Sequence, residues 1–181
     1  MNRSPSVVVC VFLLVGFQFQ VLDSRPVQAQ LGAVFPSLAP VETINVKELK
    51  GMLDKQKAAE ATAEQKGEKA ESSFVLVDVR SDKEIAVSLI PGAITKEQFE
   101  KESQKYKDKT VIVYCLSGGR SGRYASQLRG KDFDVKNFKP SILGWCGAEL
   151  PVVTTEGEST NRVHVFSDRY KIPAKYEAVT E

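Results

Sequence analysis

The sequence predicts an α/β domain, an open parallel sheet flanked by helices on both faces. Two observations lead there. Phe74-Val75-Leu76-Val77-Asp78-Val79 and Thr110–Tyr114 are short, unbroken apolar runs, the pattern of strands buried on both sides. Helical patterns follow each run, and alternation of this kind places strands side by side with crossover helices. Hydrophobic residues make up 42% of the 181, enough to fill a core between such layers.

The N-terminus reads as a targeting segment outside the fold. Arg3 and the free amine precede the apolar stretch Val7–Phe17, and small residues at Val27 and Ala29 suit cleavage after Ala29. This implies a periplasmic or secreted protein. An uncleaved segment would instead anchor the chain in the inner membrane. Cys10 lies inside the apolar stretch and reads as a small apolar residue. Residues 30–41 hold two prolines without helical period and read as a linker.

The domain is expected over residues 42–153. Val46, Leu49, Met52 and Leu53 share one face of a short helix, with Thr43 or Asn45 as cap. Residues 55–72 contain no large apolar side chain and read as a charged insert, either a solvated helical extension or disordered. After the first buried strand, Ser81–Leu89 suits a helix capped by Ser81 or Asp82, with Glu84 near the third position. Pro91-Gly92 is a turn, and Lys96–Tyr106 an amphipathic helix with Phe99 and Tyr106 inward. After the second buried strand come a helix over Ser121–Leu128, a short strand over Val135–Phe138 and a helix over Ile142–Glu149. Residues 154–181 form a C-terminal extension. Its Arg162–Phe166 suits an edge strand, with His164 at the surface or half-buried.

Composition narrows the function. The formal net charge is +2 with no long basic run, so nucleic acid is not an expected partner. Three cysteines are too few for a disulfide scaffold, and one histidine leaves little for a metal site. No metal and no cofactor are expected.

The chemistry concentrates in Cys115-Leu116-Ser117-Gly118-Gly119-Arg120-Ser121. A cysteine at the C-terminal end of a buried parallel strand stands where such sheets bind ligands. Gly118 and Gly119 allow the backbone to curl so that successive N–H groups converge. The loop leads into a helix whose first N–H groups lack internal partners, which favours an anion and lowers a thiol pKa. Arg120 and Arg123 add positive charge. The bland alternative is a buried structural cysteine before an ordinary strand-to-helix turn.

Four ordered segments resemble a single-domain rhodanese. They are Leu76-Val77-Asp78-Val79-Arg80; Glu84 with Ile90-Pro91-Gly92-Ala93-Ile94; the Cys115–Ser121 loop; and Ile142-Leu143-Gly144-Trp145 with Leu150-Pro151-Val152. The resemblance implies a rhodanese-like fold and a sulfurtransferase. In that chemistry Cys115 takes a sulfane sulfur from a small anionic donor such as thiosulfate, and passes it as a persulfide to cyanide, a thiol or a protein acceptor. Leu116, Ser117, Gly118, Gly119, Arg120, Ser121 and Arg123 would bind the donor, with amides from Leu116 to Arg120 on the charged sulfur. From Cys115 through Arg120 the loop has six residues, the size the family uses for sulfur rather than phosphate. A non-catalytic persulfide carrier or partner-binding module is the runner-up, and a phosphatase or arsenate reductase the third reading.

The sequence departs from the family pattern at Leu89, at Pro140-Ser141 where two glycines are common, and at Glu149. Pro140-Ser141 is expected to alter the rim of the pocket and with it the donor preference. Asp78 and Arg80 read as structural support rather than catalysts. Trp145 reads as core. Cys146 is either a small buried residue or a resolving thiol for Cys115.

Overall fold

The computed structural model describes residues 40–180. The targeting segment and most of the linker lie outside them. Five parallel strands form the sheet: β1 (Glu42–Ile44), β2 (Phe74–Asp78), β3 (Ala93–Thr95), β4 (Thr110–Tyr114) and β5 (Val135–Phe138), in the order β1-β5-β4-β2-β3. All four pairings are parallel, and β4 is central. The chain leaves β2 for β3 on one side, then returns to β4 on the other. The crevice between the C-terminal ends of β2 and β4 is therefore a topological switch point.

Alternation along the strands splits the core. Leu76, Ile112 and Tyr114 face a cluster containing Leu49, Ile142, Trp145 and Cys146. Val75, Val77, Val111 and Val113 face a second cluster with Phe99, Tyr124, Ala125 and Leu128. The first face is covered by helices α1 (Val46–Gln65) and α5 (Ser141–Gly147). The second is covered by α3 (Lys96–Lys101) and α4 (Gly119–Arg129). Burial on both sides explains why β2 and β4 carry no alternation in sequence.

Several boundaries differ from the sequence reading. α1 does not stop near Leu53 but runs to Gln65, so the first half of the charged insert is a solvated helical extension. Asn45, not Thr43, is its N-cap, in a reciprocal capping box with Glu48 at 3.0 and 2.7 Å. Thr43 belongs to β1, which, like β3, is too short to announce itself by pattern. Helix α2 keeps only Asp82–Ile85. The Lys96–Tyr106 helix breaks at Glu102, and its second half is a 3₁₀ turn over Ser103–Tyr106.

The C-terminal extension is part of the packed body. β6 (Val152–Val153) pairs antiparallel with β7 (Ser159–Thr160), and β8 (Arg162–His164) pairs parallel with β9 (Glu177–Val179). Val163, Val165 and Tyr176 join the first core cluster. The Tyr176 hydroxyl and Lys175 Nζ donate to the Leu150 and Glu149 carbonyls. His164 is buried at 8% exposure, not at the surface, because its strand packs on the domain through Val163 and Val165.

Candidate active site

Cys115 follows the last residue of β4 and is buried. Gly118 makes the turn back toward it. Its φ is +91°, and a Cβ there would run into the Lys139 carbonyl, so the position requires glycine twice over. Gly119 is different: it opens α4 with ordinary φ, and a Cβ would meet nothing. Only one of the two expected glycines is needed by the curl.

The loop closes on the sulfur. The Gly118 N–H donates to Cys115 Sγ at 3.2 Å, and the Ser121 hydroxyl lies 3.6 Å away. Burial opposes ionisation of this thiol. Hydrogen bonds from the Ser121 amide and hydroxyl and from the Ser117 and Gly118 amides outweigh it, so the pKa falls below the ordinary thiol value. The foremost amides are thus Ser117, Gly118 and Ser121, rather than the run from Leu116 to Arg120. Leu116 is buried, and its carbonyl accepts from the Leu143 N–H.

Two residues that the sequence reading did not place at the sulfur hold this cup. Asn137 in β5 accepts from the Ser121 hydroxyl at 2.7 Å and donates to the Gly118 carbonyl at 3.3 Å. A buried asparagine in a short strand was the available signal. Ser141 accepts from the Cys115 N–H at 3.2 Å, donates to the Phe138 carbonyl at 3.0 Å, and lies 4.0 Å from Sγ. Its φ is +56°, the left-handed region that a glycine would occupy without strain. The departure at Pro140-Ser141 therefore puts a hydroxyl behind Cys115.

Arg120 both faces the site and braces it. It lines the Cys115 pocket, and its guanidinium forms a fork with Glu84 at 2.7 Å on both oxygens. Burial would raise the Glu84 carboxyl. The Arg120 fork and the Ser81 N–H and hydroxyl overcome this and hold it down to about 2. Arg123 lines the same pocket and remains exposed.

Asp78 and Arg80 form a buried ion pair at 2.7 Å, and Arg80 Nη2 also donates to the Ser88 carbonyl. They tie the end of β2 to the following loop and do not line the Cys115 pocket. Burial works against the Arg80 charge, but Asp78 more than offsets it, and the guanidinium is held firmly protonated. Trp145 is buried, with Nε1 donating to the Pro151 carbonyl. Cys146 is fully buried in the first core cluster and, like Cys115, is a free thiol. Burial pushes its pKa up to about 11, and it takes no part in the lining of the Cys115 pocket.

The pocket over Cys115 has a volume of about 450 Å³, and its far wall is unexpected. Cys115, Leu116, Ser117, Gly119, Arg120 and Arg123 form one side. Phe166 and Tyr170, from the C-terminal extension, form the other. No pattern in the sequence pointed there, because the connection is made by packing of the tail.

Comparison with known proteins identifies the family. The family model for the rhodanese-like domain matches residues 45–148. A sulfurtransferase from Allochromatium vinosum is 34% identical over 87 residues, 46% of this chain and 81% of the relative. The thiosulfate sulfurtransferase GlpE of Haemophilus influenzae is 33% identical over 100 residues, 53% of this chain and 95% of the relative. A rhodanese-related protein of Thermoplasma volcanium superposes with a TM-score of 0.46 at 21% identity, covering 62% of this chain and 97% of that one. With the model matching more than half of its length, the chain belongs to the rhodanese-like domain family.

Proposed function

We propose that the protein is a sulfurtransferase that carries sulfane sulfur as a persulfide on Cys115. The Cys115 thiolate attacks the outer sulfur of a donor such as thiosulfate. A new S–S bond forms, the donor's S–S bond breaks, and sulfite departs with the electron pair. Cyanide or a thiol then attacks the outer sulfur and releases the Cys115 thiolate. No cofactor enters either step. The observation that carries the reading is the set of amide and hydroxyl donors on Cys115 Sγ, which stabilise a thiolate or a terminal persulfide anion. A six-residue loop closed this tightly favours a sulfur atom over a phosphate. Residues 1–29 suit export, which supports extending this reading to a reaction in an oxidising compartment.

The test is thiosulfate-to-cyanide turnover with wild type and Cys115→Ser. The expected result is thiocyanate release by wild type and its loss in the variant. Mass spectrometry after donor treatment should show a gain of one sulfur on wild type alone. A persulfide without turnover would make the protein a carrier. Hydrolysis of an aryl phosphate, or reduction of arsenate, with no action on thiosulfate would overturn the proposal.

A further inference from the structure

The tail wall says something about the donor. Phe166 is 75% exposed, the single large hydrophobic side chain so exposed among the described residues. It follows directly on β8 and the buried Val165, whose N–H donates to the Val179 carbonyl at 2.8 Å. Tyr170 follows within one short turn, its N–H on the Ser167 carbonyl. Tyr176 then re-enters the core. The segment carrying the two rings is thus anchored at both ends, and both residues line the pocket opposite the Cys115 loop. The volume of about 450 Å³ lies in the range of small-molecule sites and far exceeds a thiosulfate ion. Arg120 and Arg123 line this pocket and also an adjoining hollow, where Lys96 adds a third cation.

We propose that the Phe166–Tyr170 wall selects an organic sulfane-sulfur anion with an apolar body of about phenyl size, over inorganic thiosulfate. This rests on the sulfurtransfer reading of Cys115. The reactive sulfur meets the amide cup, the anionic charge faces Arg120 and Arg123, and the apolar body packs against the two rings. For a thiosulfonate, R–SO₂–S⁻, the Cys115 thiolate attacks the terminal sulfur and forms the new S–S bond. The S–SO₂ bond breaks, and the sulfinate R–SO₂⁻ leaves with the electron pair. The Cys115 sulfur is oxidised and the sulfonyl sulfur reduced, with no further reagent. Cyanide then removes the outer sulfur as thiocyanate and regenerates the thiolate.

Benzenethiosulfonate and methanethiosulfonate share the reacting group and differ only in the body, so the ratio of their kcat/KM values reports on the wall. Comparing variants removes the difference in their intrinsic reactivity. In Phe166→Ala and Tyr170→Ala this ratio should fall about five- to tenfold relative to wild type. The change should come from a raised KM for the benzene donor rather than from kcat. Phe166 is exposed, so its truncation spares the core, and thermal unfolding of the variant checks that. An unchanged ratio in a folded Phe166→Ala protein would overturn the proposal and leave the ring to a protein partner. Loss of all three donors in wild type would instead refute the sulfurtransfer reading itself.

Discussion

Ser141 carries two opposing consequences. Its left-handed backbone costs roughly 1 kcal/mol for a residue with a Cβ. Its hydroxyl repays part of that through the Phe138 carbonyl and the Cys115 N–H. Ser141→Gly should leave global stability within about 1 kcal/mol of wild type, as strain relief and hydrogen-bond loss offset. It should still lower turnover several-fold, with the pH of half-maximal Cys115 alkylation moved from its wild-type value. Gly118→Ala is the harsher change, since the new Cβ meets a fixed backbone carbonyl. The loop must shift, the amide leaves the sulfur, and the alkylation midpoint should rise toward the ordinary thiol value of about 8.5. In wild type, alkylation should fall away only at a lower pH, as Cys115 becomes protonated.

Among the elements, α2 is too short to stand alone, and its Glu84 links it to α4 through Arg120. The folded carboxyl is held near 2, below its ordinary value. A depressed carboxylate contributes stability above the unfolded pKa of about 4.3, and this is lost as pH falls toward 2. Glu84→Gln should therefore cost about 1–2 kcal/mol at pH 6, modest because Arg120 is partly exposed, and almost nothing at pH 2. Urea titrations at the two pH values measure the difference. The long helix α1 gives a contrast. Leu49 is its buried anchor, whereas the turns after Leu53 face water. Amide hydrogens over residues 57–65 should exchange much faster than those near Leu49.

These elements also show what a sequence can and cannot disclose. β2, β4 and the loop after Cys115 were legible because burial on both faces and glycine chemistry leave local marks. The Glu84 capping box was legible for the same reason, since its partners sit three residues apart. The Glu84–Arg120 fork spans 36 positions, and Asn137 reaches Ser121 across 16. Such contacts depend on which strands become neighbours. β1 and β3 have three residues each, too few to display a period.

For the whole molecule, the tail is structural. Removing residues 161–181 would strip Val163, Val165 and Tyr176 from the first core cluster. The shortened chain should lose more than about 3 kcal/mol or fail to fold, as seen in its urea midpoint or its solubility. Phe166 is the exception within that tail, bound to no core. The reactive end is held otherwise: the Ile142 and Leu143 N–H groups donate to the Cys115 and Leu116 carbonyls, stitching α5 to the loop. Stiffness is therefore distributed unevenly over the pocket. The cup around the sulfur is set by a lattice of hydrogen bonds from three elements, while the opposite rim ends in a ring standing in solvent. Exchanging one or two rim side chains would reshape the mouth of the pocket and leave the surroundings of Cys115 as they are.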